Sequence, residues 1–162
     1  MSVKDTVYAR LKKLLRVKFT VDVAAVDTDT ELGETPIGFD DSLIRTEFRI
    51  RVRDWFDDLL VPLPAVNWNV DTSLGEVTKA ITDASTIKTM SEYEASVSAL
   101  IEGALDAATG HGARTVPVEL RTAVRDALNR ELFEVLLRDV SVDDLAGDRS
   151  TIVANLLDRS VI

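Results

Sequence analysis

Two carboxylates and a hydroxyl stand together in the stretch GFDDSLIRTEF, residues 38–48. Ser42 follows Asp40 and Asp41 and opens a segment with helical apolar spacing. A serine so placed has two uses. Either Asp41 or Ser42 caps the helix and nothing more, or Ser42 presents a primary hydroxyl to which a prosthetic group is attached. Other reactive groups are few. His111 is the single histidine and sits in the Gly-flanked ATGHGAR, so any Ser-His-Asp device would have to use it; the setting reads as a solvent-exposed loop. DTDTELGE (27–34) has a calcium-loop flavour, but no glycine falls at the sixth position and no glutamate at the twelfth, so it reads as a capped turn. There is no Gly-rich phosphate loop. With no cysteine, disulfides, thiolate nucleophiles and Cys-based zinc sites are excluded.

The chain has 162 residues, 46% of them apolar, enough for one ordinary domain or two small ones. A formal net charge of −9 argues against nucleic-acid binding, which needs a basic surface to displace counterions. No run is long and apolar enough to cross a bilayer, and MSVKDTVYARLKKLL contains no uninterrupted apolar core of a signal peptide. A cytoplasmic protein without membrane association is expected.

The elements that must position Ser42 are helices. Val3, Val7, Leu11, Leu14 and Leu15 give an amphipathic helix over 3–16, with Arg10, Lys12, Lys13 and Arg16 on its other faces. Residues 17–40 read as a long loop with a helical turn near 23–26; loops of that length are uncommon unless functional. Over 42–59, Ile44, Phe48, Val52, Trp55 and Leu59 form a core stripe, and Arg45, Arg49 and Arg53 a basic stripe beside it. Glu47, Arg51, Asp54 and Asp58 form a mixed stripe on the other side, while Leu43 and Ile50 fall on the far face. VPLPAVNWNV (61–70) is an irregular connector. A third principal helix follows, capped by Asp71 or Thr72 and carrying Leu74, Val77 and Ile81. The polar stretch 82–91 marks a domain boundary, giving regions 1–85 and 86–162. Beyond it, Tyr93, Val97, Leu100, Ile101, Ala104, Leu105 and Ala108 form a seam ending at Gly110. Pro117 then starts a helix running through Leu120, Val124, Leu128, Val135 and Leu136. Ser141 with Asp144 resembles a capping box, and a last helix bears Ile152, Val153, Leu156 and Leu157. The fold class is all-α.

Residues 3–84 resemble the acyl or peptidyl carrier domains of fatty-acid, polyketide and nonribosomal-peptide systems. The D-S-L signature is Asp41-Ser42-Leu43, followed by Glu47, Phe48, Arg49 and Arg51 as in S-L-x-x-x-E-L-R-x-R-L, with Phe56 closing the helix. VPLP (61–64) and VDTDTELGE match further family segments. The resemblance implies a carrier-like four-helix bundle followed by a second small helical domain or extension. There are departures: Gly38 lies four residues before Ser42 where the family glycine lies three, and the helix carries four arginines where stand-alone carriers are acidic.

The resemblance further implies a 4′-phosphopantetheine arm on Ser42, installed by a phosphopantetheinyl transferase that Asp41 helps to bind, and thioester cargo handed to acyl-transfer or condensing enzymes. Leu43, Thr46, Glu47 and Ile50 take the partner-docking positions. Such a protein is not itself an enzyme. Residues 86–162 read as an accessory docking or dimerisation region, with homo-oligomer contacts through the C-terminal helices. The competing reading is a helical interaction or assembly protein with no prosthetic group. In that case Ser42 matters only as a cap, and residues 1–85 do not fold alone.

Overall fold

The structure, a computed structural model, describes residues 1–60 and 67–162. Among the described residues there are six α-helices, besides three short 3₁₀ helices: α1 (Val3–Phe19), α2 (Ser42–Trp55), α3 (Leu74–Ala84), α4 (Met90–Thr109), α5 (Arg121–Glu131) and α6 (Arg149–Arg159). Strand-like pairing among the described residues is limited to two isolated bridges. The chain divides into two compact units, Met1–Met90 and Ser91–Ile162, the join falling at the end of the polar stretch 82–91.

In the N-terminal unit α1 begins at a reciprocal cap: the Ser2 hydroxyl accepts from the Asp5 amide, and the Asp5 carboxylate accepts from the Ser2 amide. The helix runs three residues past the expected end and stops at Thr20, whose φ of 56° puts it in the left-handed region. Its apolar stripe packs chiefly on α3 and also on α2.

Sequence periodicity places Arg10 away from the core, and the structure reverses this. Arg10 is fully buried. Its Nη2 donates to the Trp55 carbonyl at 2.7 Å and to Asp58 at 2.8 Å, Nη1 donates to Asp58 at 3.1 Å, and the guanidinium lies 4.8 Å from the centre of the Phe56 ring. The reason is that α2 ends at Trp55, not at residue 59. Its last turn presents carbonyls without intrahelical donors, and a cation there satisfies them. The chain then turns through Phe56 and Leu59, both buried, and brings Asp58 round to the arginine. Lys13 is also buried, against expectation.

The long loop between α1 and α2 is ordered by its own caps and by the segment before α3. Val23–Ala25 form a 3₁₀ turn under an Asp22 cap. Asp27 accepts from the Asp29 amide at 2.8 Å. Residues 28–33 then run beside 70–75: Leu32 donates to the Thr72 carbonyl, Gly33 to Val70, Leu74 to Thr30 and Gly75 to Thr28, all at 2.8–2.9 Å. Contact is so close that a Cβ on Gly33 would lie 2.7 Å from the Val70 Cβ, and one on Gly75 2.9 Å from the Thr28 carbonyl oxygen. Leu32, Ile37 and Phe39 of the loop are buried. The cap of α3 is Ser73 in a reciprocal pair with Glu76, not Asp71 or Thr72; the pairing of 70–75 with the loop places Ser73 one residue before the helix. Any short helix between α2 and α3 would fall in 61–73, of which 61–66, including the VPLP stretch, lie outside the described residues; 67–73 are not helical.

The C-terminal unit has its own core, built from Tyr93, Val97, Ile101 and Leu105 of α4, Val124 and Leu128 of α5, and Ile152 and Leu156 of α6. Leu100 is outside it, 39% exposed, as is Leu120 at 50%. Pro117 precedes a 3₁₀ turn, Val118–Leu120, and not α5 itself. α5 ends at Glu131, and the turn that follows still buries Val135 and Leu136. Ser141 and Asp144 do form the reciprocal cap. Arg149 joins α6 to α4, reaching Asp106 at 2.8 Å.

Asp58→Ala leaves the Arg10 charge buried without its counter-ion, and should cost about 3 kcal/mol in denaturant unfolding; Arg10→Met with Asp58→Leu should recover part of that loss. In the other unit, a hydrogen bond from the Gly112 amide, together with Arg149, holds the Asp106 carboxyl below the usual carboxylate range. A carboxylate with a depressed folded pKa adds stability above its unfolded pKa and loses it as the pH falls through the folded one. Asp106→Asn should therefore flatten the acid limb of the unfolding pH profile and leave stability near pH 3 less changed than near pH 7.

Candidate functional site

Ser42 is the first residue of α2, and Asp41 is its cap. The Asp41 carboxylate accepts from the Leu43 amide at 2.7 Å. The Ser42 hydroxyl takes no part in the cap, and the side chain is exposed. Capping and presentation are thus divided between neighbouring residues. The carboxylate satisfies one orphan donor of the first turn, and the hydroxyl is left to solvent at the positive end of the helix dipole, where an attached anion is tolerated.

The approach to Ser42 is set by the residues between it and Gly38. Gly38 has φ +69°, which glycine adopts without the cost a side chain imposes. The chain then drives Phe39 into the core at 2% exposure, its amide donating to the Leu32 carbonyl at 2.7 Å. The Phe39 ring lies 5.0 Å from that of Phe19 and 5.2 Å from that of Phe48, and Trp68 joins Phe48 at 5.5 Å, all in tilted or edge contacts. Phe39 anchors the loop, so Asp40, Asp41 and Ser42 emerge together at the surface.

Leu43 is 76% exposed and Ile50 45%, on the side of α2 away from buried Phe48, Val52 and Trp55. Thr46 and Glu47 are exposed with them; the Thr46 hydroxyl donates to the Ser42 carbonyl at 2.9 Å, and Glu47 lies 3.9 Å from Arg51. Helical spacing alone brings these residues to one face. Asp58, expected on the mixed stripe, is instead drawn to Arg10.

Other residues beside Ser42 are not apparent from the D-S-L signature. An open cleft of about 270 Å³ runs from Ser42 along Arg45, Thr46 and Arg49, with residues 67–69 as its other wall. Arg45 bridges the two sides, donating through Nη1 to the Phe39 carbonyl at 2.9 Å and through Nε to the Trp68 carbonyl at 3.2 Å. The signal in the sequence is the i, i+3, i+7 spacing of Ser42, Arg45 and Arg49. His111 is 97% exposed in the other unit, 3.4 Å from Asp106. Among the described residues no three His, Cys, Asp or Glu side chains cluster as a metal site, and no helix is long and apolar enough to cross a membrane.

This division of labour predicts opposite outcomes for neighbouring substitutions. Asp41→Ala should cost about 1 kcal/mol of unfolding free energy, and Ser42→Ala a few tenths at most. Equal losses would assign the cap to both. Comparison with known protein families, with curated proteins and with solved structures finds no match to this chain.

Proposed function

We propose that the N-terminal unit is a carrier domain, holding acyl or aminoacyl intermediates as thioesters on a 4′-phosphopantetheine arm attached to Ser42. The observation that carries this reading is the exposed Ser42 hydroxyl at the first position of α2, relieved of capping by Asp41. The D-S-L signature and the outward pair Leu43 and Ile50 support it. Two large apolar side chains on one exposed helix face suit a surface that partners cover.

In this reading the protein makes and breaks no bonds of its own. A phosphopantetheinyl transferase uses the Ser42 oxygen to displace one phosphate of coenzyme A from the other. The phosphopantetheine is transferred to Ser42, the nucleotide part leaves with the second phosphate, and the hydroxyl proton is lost to solvent. Asp41, next to the acceptor, helps seat the metal-bound coenzyme A on the transferase. The arm supplies the thiol that a chain without cysteine lacks. Leu43, Thr46, Glu47 and Ile50 form the face that acyl-transfer or condensing enzymes read, and the C-terminal unit serves as the accessory region that selects among them.

Co-expression with a broad-specificity phosphopantetheinyl transferase followed by intact mass should show the addition of one arm to the wild-type chain and none to Ser42→Ala. An unchanged wild-type mass, or the same gain in the variant, would sink the proposal.

A further inference from the structure

Ser42, Arg45, Thr46 and Arg49 follow one another at i, i+3, i+4 and i+7, so they form a single stripe along roughly 10 Å of α2. The cleft lies over this stripe, with Asn67, Trp68 and Asn69 opposite. Its charge is the reverse of the chain's. The protein carries a net −9, yet two arginines and no carboxylate line the cleft among the described residues.

Arg45 differs in kind from Arg10. Arg10 is neutralised by Asp58. Both hydrogen bonds of Arg45 go to backbone carbonyls, those of Phe39 and Trp68, which fix the guanidinium without cancelling its charge. Neither bond uses Nη2. Asn67, Asn69 and Thr46 add neutral polar groups around the same space. A guanidinium held in place as that of Arg45 is, in a cleft whose described lining adds a second arginine and neutral polar groups but no carboxylate, suits an anion with several acceptor oxygens, and phosphoryl oxygens match the guanidinium fork. The cleft starts at the Ser42 side chain, so a phosphoester on that oxygen would enter it directly.

We propose that this cleft is a phosphoryl seat, in which Arg45 and Arg49 hold the phosphate of an ester carried on Ser42, or free phosphate when Ser42 is bare. The attached form rests on the carrier reading; the free form does not. When occupied by the ester, the seat directs the rest of the arm along the groove between α2 and residues 67–69. Arg45 and Arg49 are then positioning residues for the arm.

The test is a titration of the full, unmodified chain with inorganic phosphate, followed by ¹H–¹⁵N spectra, against sodium chloride at matched ionic strength. Phosphate should shift the amides of 42–49 and 67–69 saturably, and chloride should not. Arg49→Gln should weaken the response roughly tenfold, the loss of one charge-assisted contact. Arg45→Gln should do the same, with its fold checked by the retained upfield shifts of the methyl groups packed on the Phe39 and Phe48 rings. In the phosphopantetheinylated chain the same amides should already be shifted and added phosphate should no longer move them. Equal effects of phosphate and chloride, or wild-type titration in both arginine variants, would overturn the seat. If Ser42 takes no arm, the carrier reading falls and the phosphate titration of the unmodified chain still decides the cleft.

Discussion

A buried guanidinium organises the N-terminal unit. Arg10 lies on the first helix, yet its partners are the last carbonyl of α2 and a carboxylate just beyond it. A charge taken out of water must find compensation, and here the end of α2 and Asp58 supply it. α2 must end at Trp55, and the chain must turn so that Asp58 comes back and Phe56 lies under the guanidinium. The interaction sets where α2 stops and how it lies against α1.

At the opposite end of α2 the constraint is aromatic. Phe19, Phe39, Phe48 and Trp68 come from α1, the long loop, α2 and the connector, and their rings meet in one cluster. Phe39 is two residues before the Asp41 cap, so burying it sets how the chain enters the helix. The backbone pairing of 28–33 with 70–75 holds the same loop from the other side, through contacts that leave no room for a side chain at Gly33 or Gly75. A loop of over twenty residues is thereby held from both sides beneath one exposed hydroxyl. The same cluster has a second effect. By drawing Trp68 to Phe48 it lays residues 67–69 along α2, and the gap between them is the arginine-lined cleft.

Local periodicity is legible where a single helix decides the outcome. Phe48, Val52 and Trp55 inward with Leu43 and Ile50 outward, the seam of Val97, Ile101, Ala104 and Leu105 without Leu100, and the Ser141 and Asp144 cap all depend on residues a few positions apart. Legibility fails where a distant partner overrides the local pattern. Asp71, Thr72 and Ser73 are all competent caps by chemistry, and only the pairing of 70–75 with the loop selects Ser73. Phe39, between Gly38 and Ser42, proves to be a core aromatic, and its place depends on rings from two other segments.

By itself, then, the sequence determined an all-helical chain with a break in composition at 82–91, a serine at a helix start, and the apolar stripe that each helix buries for the most part. These are consequences of backbone geometry and apolar spacing, which act over one or two turns. Tertiary structure alone decided that Arg10 and Lys13 are interior, that α2 ends at Trp55, that Asp41 and not Ser42 is the cap, and that Arg45 and Arg49 share a cleft with residues 67–69. The physical reason is common to most of these. A charged or polar group goes where its hydrogen-bond and charge partners are, and those partners are supplied by segments tens of residues away, which no local period encodes.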